Sequence, residues 1–406
     1  MLKKSLILLI TLLSNVFFAQ EKNSLSIKNG IENPSLLSTH HFGIFNARIN
    51  TNFKHSSTKN KNITFQYNSG NTFHPYVEAY FPKNPEVRKQ LSNTTWFYRR
   101  FNFIDQETTP ADYMNIVVDA VIKEFRLGFT MPLNNTQELS INLRSYLITK
   151  GKYPFSVLTS DETIEWFHSN IAGGEDPFGR RYYGLNQVNF KYLDRNGNTL
   201  KFDNNDFFIS GLEFTHYFYP NLKINNSRNI YINFGSHLGI NTSKYNPSVD
   251  FGISANIVKQ YTISKKYPFN IAFGTNILRK NIVRFSNDAI DLGNNPFLAT
   301  FEGNIEFTTF TKQKNYHAFG VNYQMQTRYN KKEETGYYKL NGKWAEINGG
   351  WHNGVSTLYR TLSTIAATYT YKRPNYKLSC YFKQDLEVNN APDFQTGIQL
   401  SIPIKK

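Results

Sequence analysis

Residues 230–241 read IYINFGSHLGIN, and residues 248–257 read SVDFGISANI. In the first, Ile230, Ile232, Phe234, Leu238 and Ile240 hold one parity, against Tyr231, Asn233, Gly235, His237, Gly239 and Asn241 on the other. In the second, beyond Asn246-Pro247, Val249, Phe251, Ile253, Ala255 and Ile257 alternate with Asp250, Gly252, Ser254 and Asn256. A period of two puts one set on each face of a strand. The polar face is built from Gly, Ser and Asn rather than Lys and Glu. That composition suits the interior of a membrane barrel better than the solvated face of a soluble sandwich.

The rest of the chain agrees with this reading. Lys3 and Lys4, the apolar run from Leu6 to Phe18 and then Ala19 predict a secretory signal peptide over residues 1–19. Beyond it there is no run of about 18 apolar residues, so no transmembrane helix is encoded. Membrane insertion must then use strands, because lipid tolerates only backbones whose hydrogen bonds close internally. A mean hydropathy of −0.50 is compatible with this, since half of each barrel strand faces the lumen. Aromatic residues make up 16% of the chain, with 26 Tyr and 34 Phe, as interfacial girdles require. The single cysteine, Cys380, excludes an intramolecular disulfide framework. The net charge of +16 favours anionic solutes or lipopolysaccharide phosphates, and no nucleic-acid motif accompanies it.

In chain order, residues 20–41 read as a periplasmic lead-in and residues 42–406 as the barrel. Phe45, Ala47, Ile49, Thr51 and Phe53 alternate with Asn46, Arg48, Asn50 and Asn52, which predicts the first strand. Residues 54–115 form a long insert with a possible hairpin at Ile63, Phe65 and Tyr67. The next hairpin places Phe125, Leu127 and Phe129 outward and Glu124, Arg126, Gly128 and Thr130 inward, with Arg144 inward on its second strand. Residues 150–206 form a second long insert. It holds a helix that Thr159 or Ser160 can cap, with Glu162 at capping-box spacing, and Trp166, Phe167 and His168 make it a candidate plug. From Phe208 onward strands recur, with short and long connections alternating in the second half. Short turns belong in the periplasm and long loops outside. The predicted fold is an all-β, up-and-down antiparallel transmembrane barrel of twelve strands with both termini periplasmic.

The hairpin from Glu124 to Tyr146, the helix ending Trp166-Phe167-His168, and then Gly173-Gly174 and Phe178-Gly179-Arg180-Arg181 resemble in layout a family of uncharacterised Gram-negative outer-membrane β-barrel proteins. The resemblance covers residues 117–238. It implies twelve strands, the outer membrane and the barrel-assembly machinery as a partner, and it supplies no activity. The closing strand ends on Lys405-Lys406 rather than on an aromatic residue.

Inward charges are the most informative candidates: Glu124, Arg126 and Arg144 on neighbouring strands; Glu302 and Glu306 beside Arg328; and Lys383 with Asp385 near Arg360. In a narrow lumen such groups either neutralise one another or line a polar path. The string from Trp351 through His352 to Ser356 has a distant likeness to the His-x-Ser-Asn-Gly of outer-membrane phospholipases, which are also twelve-stranded. However, on a strand His352 and Ser356 would lie about 13 Å apart, too far for nucleophile and base. No metal-ligand spacing appears, so no catalytic, cofactor or metal site is expected. The leading expectation is a passive pore or binding barrel for small polar or anionic solutes. The alternative is a structural or surface-interaction barrel with a closed lumen, in contact with outer-membrane lipid and lipopolysaccharide. A phospholipase-like hydrolase ranks behind both.

Overall fold

The computed structural model describes residues 28–74, 78–79, 114–115, 118–151, 156, 158–171, 185–194, 196, 198–264, 267–286, 289–311, 315–331, 361–386 and 394–404. Twelve long strands build the wall: β1 (Lys61–His74), β2 (Val118–Asn134), β3 (Gln137–Thr149), β4 (Phe207–Phe218), β5 (Ile230–Asn241), β6 (Ser248–Ser264), β7 (Tyr267–Arg284), β8 (Phe297–Phe310), β9 (Tyr316–Gln326), β10 (Leu362–Lys372), β11 (Lys377–Asp385) and β12 (Phe394–Ile404). Each pairs antiparallel with the next. β1 also pairs with β12, from Lys61 opposite Ile404 to Asn71 opposite Phe394, and this closes the sheet on itself. Closure leaves no open edge.

The alternation sets the faces. Phe234, Leu238, Phe251, Ile253 and Ile257 are exposed on the outside, while Asn233, His237, Asn241, Asp250, Ser254 and Asn256 are buried inside. Leu127, Phe273, Phe301, Ile305, Phe319, Val321 and Ile398 continue the apolar outer surface around the wall, as in a barrel facing lipid. Among the described residues no helix is long and apolar enough to cross a membrane. One end of the barrel carries connections 135–136, 219–229, 265–266, 311–315 and 373–376. The other carries the longer connections, including 75–117, 150–206 and 327–361.

Two expectations are corrected. Residues 45–53 are not a wall strand, and residues 28–41 are not a lead-in below the barrel. The chain enters the lumen at the short-turn end, rises to a 3-10 turn at His41–Phe45 and returns to begin β1 at Lys61. Two limbs therefore lie inside the barrel. Ile31 N donates to Phe53 O at 3.0 Å, Asn33 Nδ2 to Thr51 O at 3.0 Å and Asn50 Nδ2 to Asn33 O at 3.3 Å. Gly30 takes φ +75°, and a Cβ there would sit 1.8 Å from Phe53 O. The wall strand comes instead from within the segment read as the first insert, so the total remains twelve. An extended limb packed in a lumen has the same two-residue period as a membrane strand, and periodicity cannot separate them.

The second correction concerns the helix Asp161–Asn170. Ser160 caps it, accepting from Thr163 N at 3.3 Å. It does not enter the lumen. Its N-terminal end lies against the outward parity of β1, where Ser69 and Thr159 share a 2.6 Å hydroxyl contact and Asn71 Nδ2 donates to Asp161 Oδ1 at 2.8 Å. Trp166 and Phe167 are 56% and 48% exposed. The lumen is filled by the N-terminal segment.

Candidate functional site

The groove that receives the returning limb is made by absent side chains. A Cβ on Gly239 would lie 2.1 Å from Ala47 Cβ, one on Gly252 2.5 Å from Ile49 Cδ1, and one on Gly274 2.4 Å from Thr51 Cγ2. These glycines sit on β5, β6 and β7, and the limb lies along them with Ala47, Ile49 and Thr51 facing the wall. Small luminal residues therefore make room for the chain itself rather than for a water column.

The opposite side of the limb meets charge. Arg48 Nη2 lies 2.9 Å from Glu124 Oε2, and Arg126 Nη1 3.1 Å from Glu124 Oε1. Arg126 also pairs closely with Glu213, which lies 3.0 Å from Arg144 Nε. Tyr146 Oη and Asn68 Nδ2 donate to Glu124 at 2.9 and 2.7 Å. The limb's backbone joins the network: Arg48 N donates to Glu213 Oε1 at 2.8 Å and Ala47 N to Asp250 Oδ2 at 2.8 Å. Nearer the short-turn end, Lys28 lies 2.7 Å from Glu306, Lys377 2.7 Å from Glu32, and Lys54 2.6 Å from Glu138. Apart from these last pairs, the largely buried bases of the lumen are Arg48, Arg126, Arg144, Lys280 and Lys383, against Glu124, Glu213, Asp250, Glu302 and Asp385, so the charges balance.

At the long-loop end the turn of the segment is sealed by an apolar cluster. Phe42 and Phe45 are fully buried against Phe190, Tyr192 and Phe202 of a hairpin (Asn189–Leu193 with Thr199–Phe202), against Ile290 and Leu292, and against Tyr329. Ring centroids are 4.9 Å apart for Phe42–Tyr192 and 6.0 Å for Phe45–Phe202. Each such side chain contributes about 1.5–3 kcal/mol by burial. The hairpin is itself braced by Asp194, which accepts from the backbone N–H groups of Asn196, Asn198 and Asp291. Burial raises the Asp194 pKa, and these donors outweigh it and hold the carboxyl below its ordinary value.

Below the charged network a vestibule of about 660 Å³ opens at the short-turn end. Its basic lining residues are Lys28, Arg48, Lys54, Lys59, Arg126, Lys372 and Lys377, against the acids Glu32, Glu138 and Glu213. Each of these acids is engaged by one of these bases, whereas Lys59 and Lys372 have no ion-pair partner among the described residues.

Of the residues singled out from sequence, Glu124, Arg126, Arg144, Glu302 and Glu306 are buried on the inward face. Arg328 is not beside Glu302 and Glu306: it lies past the end of β9 and is exposed. Asp385 ends β11 on the inward parity of Tyr381 and Lys383 and is half-buried. Arg360, His352 and Ser356 lie outside the described residues, as does the His168 side chain. Glu213 was missed because of a bulge. The β3–β4 register shifts at Arg144/Ser145, opposite Gly211 at φ +150°, and moves the inward parity from Phe208 and Ser210 to Glu213 and Thr215. The phase slip in the apolar positions, from Phe207 and Ile209 to Leu212 and Phe214, is its sequence signal.

Among the described residues, His237 and Ser254 make a side-chain contact in the lumen. His237 Nε2 is 2.8 Å from Ser254 Oγ, but its Nδ1 faces the Thr215 hydroxyl at 3.1 Å rather than a carboxylate, and the Tyr217 ring stands edge-on to it. Both residues are less than 10% exposed. Among the described residues no group of three or more His, Cys, Asp or Glu is placed to hold a metal ion.

No protein-family model matches this chain, and no curated protein matches it. Solved structures with a similar course include an outer membrane channel from Pseudomonas putida F1, with a TM-score of 0.39 and 8% identity over 86% of this chain and 98% of that one. LpxR from Salmonella typhimurium gives 0.37 and 5%, over 84% and 100% of the two chains. The KdgM porin gives 0.30 and 10%, over 70% and 93%. At these scores the likenesses carry no functional argument, and the function rests on the site.

Proposed function

We propose that this chain is an outer-membrane barrel of a Gram-negative bacterium that binds small polar, anionic solutes at its short-turn mouth and is closed to through-flow by its own N-terminal segment. The carrying observation is the inserted segment. It occupies the lumen from the vestibule to the aromatic cap, so the polar interior that would suit a pore is already filled. The excess of basic side chains around the vestibule supports anions over cations. By the loop-length rule the vestibule faces the periplasm and the cap faces outward, with lipopolysaccharide and the assembly machinery as the partners of the outer surface.

Two measurements test this. In planar bilayers the full chain should show no steady conductance, whereas an open ohmic conductance would refute the closed lumen. Calorimetric titration with inorganic phosphate and with citrate should show binding that weakens in Lys59→Glu/Lys372→Glu; no binding of either probe, or binding indifferent to the double change, would refute the anion mouth. The reading is non-enzymatic, supported by a Ser254–His237 contact that has no orienting carboxylate. Ester hydrolysis lost in Ser254→Ala would overturn it.

A further inference from the structure

A second, smaller space lies higher in the lumen, between the two limbs of the inserted segment and strands β7 to β9. It measures about 40 Å³ and is lined by Arg48 and Asn46 of the segment and by Asn276, Lys280, Gln326 and Glu302 of the wall, the last with its Oε1 already accepting from Asn33 and Asn322. By volume it holds about two or three waters, or one small ion. What distinguishes it is the chemistry of its unsatisfied groups. Lys280 Nζ, Asn276 Nδ2 and Gln326 Nε2 belong to side chains 2%, 4% and 7% exposed, and none has a hydrogen-bond partner in the protein; Arg48 Nη1 is in the same position. All four are donors. The Lys280 ammonium also sits 3.8 Å from the centroid of the Tyr329 ring, which faces the same space.

Leaving several buried donors unmet costs about 1–3 kcal/mol each, more when one is charged. A water accepts about two hydrogen bonds and must donate two of its own, so it meets a set of four unmet donors poorly. An anion accepts from all of them. We propose that this cavity binds one small monovalent inorganic anion of chloride size, which pins the inserted segment, through Arg48, to the wall, through Lys280, Asn276 and Gln326. The site shares the Arg48 side chain with the upper wall of the vestibule, and it does not depend on the solute-binding reading.

Bromide is the direct probe. Crystals of the unmodified chain grown with bromide should give an anomalous peak in contact with Lys280 Nζ and Gln326 Nε2; water alone there would overturn the proposal. In solution, backbone amide exchange over residues 46–53 should be compared in potassium chloride and potassium gluconate at equal ionic strength. With chloride at about ten times its dissociation constant, mass action predicts about tenfold slower exchange than in gluconate. Gln326→Glu keeps the side-chain shape while placing an acceptor and a negative charge on the site, and should erase the difference between salts. Equal exchange in the two salts, or a chloride effect that survives Gln326→Glu, would refute the site. Failure of phosphate or citrate to bind at the vestibule would leave this result untouched.

Discussion

Substituting Gly239 by alanine tests whether the returning limb is seated as described. The new methyl carbon would stand 2.1 Å from Ala47 Cβ, with Ala47 Cα and Asp250 Cβ next at 3.5 Å. Carbon atoms settle near 3.5–4.0 Å, so the limb must withdraw by about 1.5 Å. It is not free to do so, because Ala47 N and Arg48 N are held at 2.8 Å by Asp250 and Glu213. Overpacking of this kind costs about 1–3 kcal/mol, which lowers the ratio of seated to released limb by about 5- to 150-fold. Only one neighbour makes the clash, and Ala47→Gly removes it. The double variant Gly239→Ala/Ala47→Gly should regain most of the loss, less about 0.5–1 kcal/mol for a glycine in an extended limb. Amide exchange over residues 46–53 in detergent is the assay, with the β6 amides as an internal control of wall integrity. Unchanged exchange in the single variant, or a double variant as labile as the single, would show that Ala47 does not rest on Gly239.

Two further outcomes follow from the same contacts. Arg48→Ala removes one base from a largely buried network and should cost about 3–5 kcal/mol of segment seating, read as protease cleavage within residues 28–60 and as current in planar bilayers; an intact, non-conducting variant would contradict the role of Arg48. His55, stacked 4.0 Å from the Tyr231 ring, has its pKa pushed down to about 3 by burial first and by the nearby Lys28 second, from an ordinary 6.5. The released segment binds the proton more tightly, so seating is unaffected above about pH 6.5 and weakens as pH falls toward 3, by at most about 1.4 kcal/mol per unit; exchange of the segment should quicken across that window in the natural chain and less so in His55→Phe.

The wall of this protein was legible in its residues because a transmembrane strand obeys a local rule. Phe234 and Leu238 against Gly235 and Gly239 state both the strand and its facing, since neighbouring side chains point to opposite sides whatever the rest of the chain does. Turn chemistry and loop length likewise carried the strand count, and the parity of β2 and β3 placed Glu124, Arg126 and Arg144 inside. What occupies the inside is not a local property. Ala47, Ile49 and Thr51 alternate with Arg48 and Asn50 because one side of the limb rests on the glycines of three strands more than 180 residues away and the other meets Glu124 and Glu213. The same alternation would serve a strand in lipid. Only closure of the barrel brings those strands around the segment, and only the bulge at Gly211 turns Glu213 toward Arg126 and Arg144. The wall follows from period-two patterning, whereas its obstruction follows from long-range packing, which no short window of residues contains.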